Sequence, residues 1–243
     1  LAKAAHTMSC LHGKGLAYSD PSPGNIFVSA GNTANEVWFI DTDNLRYESD
    51  QQTAHNVFTP GYGAPELVLG RSGVTSLSDA HALAVIAFQV LTLVHPFIGD
   101  WVSDGEPELE EQAFAGEIPW IDDPEDDRNR ASFGVPRDWV LSRRLIELFQ
   151  KAFGLGRKDP TLRPGCAELA DRLYSAADST MTCSSCKGSY YFNNRTCPWC
   201  DAERPPFAML ILNLWDPRID EKGGMVLNPS KRPMRVAHTV IND

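Results

Sequence analysis

From Ser78 to Val94 the chain is apolar on almost every side of a helix, and this stretch limits the possible architectures more than any other. A helix without a polar face has to be enclosed, so the segment predicts a central helix wrapped by other elements. Ser78 or Asp79 is the candidate cap, and His95-Pro96 ends the run. Its most apolar part, Ala82 to Val94, is about half a membrane span and is interrupted by Gln89, which points to a buried helix rather than a membrane segment. With 243 residues, 42% of them hydrophobic, the chain can build that enclosure and still carry a small appendage. Acidic side chains outnumber basic ones by 32 to 22, and the net charge of −10 argues against a nucleic-acid or anionic-membrane surface.

Around this helix the pattern is mixed. The first residue is Leu1 rather than Met, and Leu1 to His12 already has the periodicity of a helix under way, so the chain reads as part of a longer protein. Asn25 to Ser29 and Glu36 to Ile40 are short apolar runs with a Gly31-Asn32 turn signal between them, which predicts a two-stranded ribbon. Asp100 to Asp127 holds 12 acidic residues and no Lys or Arg, either a solvated loop or a docking surface for a basic partner. Helices are expected over Asp138–Phe153 and Pro164–Ala176, and strands at Phe207–Leu214, Met225–Leu227 and Arg235–Val240. Small polar residues around Ala177 to Met181 mark a boundary.

The segment from Leu11 to Val28 places Asp20 and Asn25 five residues apart on a Pro-stiffened loop leading into a strand. Sixteen residues after Asn25, the strand Val37-Trp38-Phe39-Ile40 delivers Asp41. Thr59-Pro-Gly-Tyr-Gly-Ala-Pro-Glu66 follows, then Asp79 at the start of the buried helix, His95-Pro96-Phe97, and Asp159-Pro-Thr-Leu-Arg163-Pro164. In order and spacing this set resembles the large lobe of a bacterial Ser/Thr protein kinase of the eukaryotic type. The resemblance implies a mainly α kinase-like lobe with a short β ribbon over residues 1–178. No Gly-rich phosphate loop or strand Lys accompanies it, so the small lobe is expected to be missing and these residues alone are not expected to turn over.

Phosphoryl transfer needs a base to accept the hydroxyl proton and hard oxygen ligands for Mg²⁺ against the ATP phosphates. By resemblance Asp20 is the base, Asn25 and Asp41 are the magnesium ligands, and Thr59 bonds near Asp20 and favours a Ser or Thr acceptor. Asp79 would steady the catalytic loop, and Glu66 and Arg163 would form a partly buried ion pair. Taken singly, Asp20 and Asn25 also fit a turn cap and an Asx turn. The chain departs from the family pattern in several places. Tyr18-Ser19-Asp20 lacks the usual Arg, Ser22 replaces a Lys, and Asp41-Thr42-Asp43 replaces Asp-Phe-Gly. Asp43 could assist a metal or cap a turn. His81 and Ala84 stand where Trp and Gly are usual.

Cys183-x-x-Cys186 and Cys197-x-x-Cys200 form two knuckles ten residues apart. Four thiolates on two tight turns suit a closed tetrahedral zinc shell, with a redox dithiol or an iron site as competing readings. The module, residues 179–204, resembles a zinc ribbon, and a β-rich tail over 205–243 follows. Cys10 and Cys166 have no sequence partner and are expected in the helical core. This cysteine usage suits a reducing cytoplasm. A large lobe followed by a ribbon resembles bacterial kinases paired with a von Willebrand A-type protein and a PP2C-type phosphatase. A scaffold that docks such a partner is therefore the alternative to an enzyme.

Overall fold

A computed structural model of the chain describes residues 1–30, 36–48, 57–208, 211–219 and 225–235. The Gly31-Asn32 turn lies outside them. The chain divides into two compact units, Leu1–Tyr174 and Ser175–Asp243, each described by itself.

The first unit is mainly helical with two small ribbons. In chain order it contains α1 (Ala2–His12), β1 (Leu16–Ala17), β2 (Ile26–Val28), β3 (Val37–Phe39), β4 (Arg46–Tyr47), α2 (Pro65–Val68), α3 (Ser76–Thr92), α4 (Asp100–Ser103), α5 (Pro107–Phe114), α6 (Arg137–Val140), α7 (Arg143–Gln150), α8 (Gly156–Lys158) and α9 (Cys166–Ala177), the last crossing the division. β1 pairs antiparallel with β4, and β2 with β3 in the register Ile26 to Phe39, Phe27 to Trp38 and Val28 to Val37.

α3 is buried on all sides from Ser78 to Phe88. Its cap is Thr75 rather than Ser78 or Asp79: the Thr75 hydroxyl accepts the Ser78 N–H at 3.3 Å and the Ser78 hydroxyl accepts the Thr75 N–H at 2.9 Å, a closed capping box. Around α3 an aromatic cluster fills the core, with Phe88 5.1 Å from Phe149, 5.8 Å from Phe153 and 5.9 Å from Trp120.

The helix expected over Asp138–Phe153 is broken. Leu141 is extended, the Ser142 hydroxyl caps α7 by accepting the Leu145 N–H, and a π-helical turn occupies Lys151–Leu155. These breaks leave Leu141, Leu145, Phe149 and Phe153 all buried. The acidic stretch is neither a plain loop nor unstructured, because it contains α4 and α5. It is anchored by wholly buried Asn129, which donates to the Phe97 and Pro119 carbonyls and accepts the Gly99 N–H. A Cβ at Gly99 would collide with the Asn129 carbonyl, so this close approach requires glycine.

In the second unit β5 (Thr180–Thr182) pairs antiparallel with β6 (Ser189–Tyr191), and Met181, Cys183, Tyr190 and Cys197 form its core. In the tail backbone β7 (Ile211–Ile219) pairs antiparallel with β8 (Met225–Arg235), the two running past Leu214 and Leu227 where the first two expected strands end. Residues 236–240 of the third expected strand lie outside the described residues. No described helix is long and apolar enough to cross a membrane.

Candidate functional site

The Asp20 loop is held by the start of the central helix. Asp79, wholly buried, accepts the backbone N–H groups of Tyr18 at 2.6 Å and Ser19 at 3.0 Å, and its second contact on Oδ2 is His12 Nε2 at 3.1 Å. Ser19 sits at φ +85°, a left-handed conformation that costs about 1–3 kcal/mol for a non-glycine residue, and its hydroxyl donates to the Asn44 carbonyl. The chain thus enters Asp20 through a turn that Asp79 and Asn44 enforce.

Three of the sequence-derived residues meet directly. Asp20 Oδ1 accepts the Thr59 N–H at 2.8 Å and the Thr59 hydroxyl at 2.9 Å, while Oδ2 is 3.1 Å from the same hydroxyl. The Asn25 Nδ2 donates to the Asp20 carbonyl at 3.0 Å and lies 3.4 Å from Oδ2. Because the Asn25 nitrogen is committed to Asp20, its oxygen is the end available to a cation. Asp41 arrives by the ribbon: the Ile40 N–H bonds the Asn25 carbonyl at 3.1 Å, so Asp41 leaves β3 at the same end as Asn25. Asp41 is exposed and left-handed at φ 56° and ψ 54°, a conformation that Asp tolerates better than most residues. Asp43 is exposed in the 3₁₀ turn Thr42–Asn44.

Tyr18 links these parts, a role that its place in Tyr18-Ser19-Asp20 does not reveal. Its ring is buried edge-on to Phe39, and its hydroxyl donates to the Ile40 carbonyl, one residue before Asp41. Burial, followed by the nearby Asp41, Asp20 and Asp79 charges, pushes its pKa up to about 12. Tyr18 is therefore a neutral strut with three carboxylates around it. Among the described residues no Lys or Arg pairs with Asp20 or Asp41. Hard oxygens without a basic partner fit a divalent cation such as Mg²⁺. The ribbon also leaves Phe27 and Trp38, cross-strand partners, 55% and 49% exposed. Their alternation in the two apolar runs was the available signal for this apolar face.

Glu66 and Arg163 form a two-pronged ion pair, Nη1 to Oε1 at 2.9 Å and Nη2 to Oε2 at 3.0 Å. Arg163, with a fully buried side chain, also donates to the Leu77 and Gly156 carbonyls.

In the second unit the Sγ atoms of Cys183, Cys186, Cys197 and Cys200 all lie within 4.8 Å of one another. Cys183 to Cys200 and Cys186 to Cys197 are each 3.7 Å, close to the roughly 3.8 Å edge of a tetrahedron with Zn–S bonds of about 2.3 Å. These contacts run across the two knuckles rather than within either, as a shared metal requires and a dithiol cycling alone does not. The knuckles repeat one geometry. Lys187 and Asp201 follow the second cysteines at φ 63° and 59°, their N–H groups return to the Cys183 and Cys197 carbonyls, and the Cys183 and Cys197 N–H groups bond Gly188 and Ala202. Cys166 is buried, whereas Cys10 is exposed on α1 beside His6 and is not a core residue.

Comparison with known proteins finds Ser/Thr protein kinases. The serine/threonine-protein kinase PknB of Mycobacterium leprae is 34% identical over 104 residues, covering 41% of this chain and 16% of that protein. Serine/threonine-protein kinase pkn2 of Myxococcus xanthus is 27% identical over 189 residues, covering 75% of this chain and 20% of its own length. The chain thus spans a fifth or less of these relatives. The family model of the protein kinase domain matches residues 1–175, and the chain belongs to that family.

Proposed function

We propose that residues 1–178 are the large lobe of a Ser/Thr protein kinase, followed by a zinc ribbon over 179–204 and a β-rich tail over 205–243. The observation that carries this reading is the Asp20 carboxylate fixed by Thr59 and Asn25, with Asp41 delivered to the same end of the ribbon. Asp20 orients the acceptor hydroxyl and takes its proton. Oδ1 is occupied by two close Thr59 bonds, which leaves Oδ2 as the accepting atom. Asn25 and Asp41 would hold Mg²⁺, which when bound with ATP neutralises the phosphate charge. The cysteine cluster would hold zinc as a structural ion with no open position. Six cysteines without a disulfide fit a reducing cytoplasmic location.

Ser22 in place of a Lys removes a cation from the transferred phosphoryl group, so turnover is expected to be slow. The same missing cations favour the second reading, a scaffold that docks a partner such as a von Willebrand A-type protein or a PP2C-type phosphatase. Joined to a kinase small lobe, the chain is expected to transfer radiolabelled phosphate from ATP and Mg²⁺ to a Ser or Thr acceptor; alone it is expected to be inactive. Asp20→Asn and Asp41→Asn should each lower transfer by about 10²-fold or more. Retained transfer in either variant overturns the assignment, and absence of both transfer and nucleotide binding selects the scaffold.

A further inference from the structure

A concave feature of the first unit is lined by none of Asp20, Asn25 and Asp41. It is a cleft of about 490 Å³ between α2, the start of α3, the end of α5 and α8. Three cations line it, Arg71, Arg157 and Lys158, in a protein whose net charge is −10. Of the two lining carboxylates, Glu66 is committed to Arg163, which leaves Glu117 as the opposing charge. Pro65 and Leu69 supply an apolar floor, with Leu69 36% exposed.

Arg157 is the unusual member. It is only 7% exposed, its Nη1 donates to the Ile118 carbonyl, and its buried Nε has no hydrogen-bond partner. Gly116, at φ +77°, makes room for it, because a Cβ there would lie 2.9 Å from Arg157 Cγ. The nearby Asp123 and Asp126 offset part of the cost of burying the charge, but Asp126 is itself bound by Arg128. A largely buried guanidinium with one donor unpartnered, flanked by two exposed cations and an apolar floor, matches a carboxylate next to an apolar side chain.

We propose that this cleft docks an acidic peptide segment of a partner polypeptide, one or two Asp or Glu side chains meeting Arg71, Arg157 and Lys158 while a neighbouring apolar residue packs on Leu69. The site does not depend on phosphoryl transfer, since it shares no residue with the Asp20 cluster.

The test is fluorescence anisotropy on the whole chain, with a labelled peptide carrying two adjacent glutamates flanked by leucines. Saturable binding is expected, with the glutamine counterpart at least tenfold weaker. Arg71→Gln combined with Lys158→Gln changes only exposed residues and should weaken binding about tenfold by removing two charged contacts. Lys151→Gln, exposed and outside the cleft, should leave it unchanged. Absence of saturable binding, equal affinity for the glutamine peptide, or equal weakening by Lys151→Gln overturns the proposal. Tenfold tighter binding of a phosphoserine peptide overturns the carboxylate assignment and makes the cleft a phosphoryl-recognition site instead.

Discussion

Arg163 keeps its charge inside the protein because Glu66 and two backbone carbonyls take its hydrogens. Removing the carboxylate by Glu66→Ala strands that charge, so the variant should lose about 3–5 kcal/mol, read as a lower urea midpoint. His81 is the opposite case. Its ring stacks on Phe97 at 5.7 Å in the aromatic core, and its buried Nδ1 has no hydrogen-bond partner. His81→Phe should therefore stabilise the fold by about 1 kcal/mol, seen as a higher melting temperature. An unchanged or lower value would mean that the imidazole fits its pocket better than an apolar ring. Roles like that of Arg163 were legible because its partner Glu66 sits in a recognisable motif. Tyr18 and Arg157 were not, since their meaning comes from the Ile40 carbonyl and from Gly116, 22 and 41 residues away.

Among the elements, the cysteine knuckles fold by a rule local enough to read directly, with each left-handed residue placed immediately after a C-x-x-C. The cluster has little apolar core beyond Met181, Tyr190 and Phe192, so metal binding should be coupled to folding. Metal analysis is expected to find about one zinc per chain, and a strong chelator should abolish the ordered Trp199 environment while leaving most of the helical circular dichroism intact. Chelation without a change in Trp199 fluorescence would show that the knuckles stand without an ion. The central helix was equally legible, because a run that is apolar all round needs no tertiary information to be recognised as buried. The break at Leu141 and the π-helical turn at Lys151–Leu155 were not. They answer to the shape of the aromatic core, in which Phe149 and Phe153 stack 5.7 Å apart.

For the whole molecule, acid is the expected weakness. Burial pushes His81 well below the usual histidine range and His95 down to about 4, with the His95 Nε2 donating to the Gly61 carbonyl and Nδ1 accepting the Phe97 N–H. Below about pH 6.5 the unfolded chain binds protons that these native imidazoles refuse, so stability should fall as pH drops. The slope approaches about 1.4 kcal/mol per pH unit for each histidine; the His95 share ends near pH 4, and above pH 7 neither contributes. Urea unfolding at several pH values should show a shallower acid slope in His81→Phe than in the parent. Equal slopes would remove His81 from this account.

The Asp79 contacts have a consequence for how such a molecule fails. One carboxylate at the root of the innermost helix grips both α1 and the loop that carries Asp20, so the setting of Asp20 is tied to the most enclosed helix of the first unit. Peripheral loosening, in α4 or α5 for example, would leave Asp20 in place. On heating, Asp20 should therefore keep its setting until the first unit unfolds cooperatively, the two being lost together.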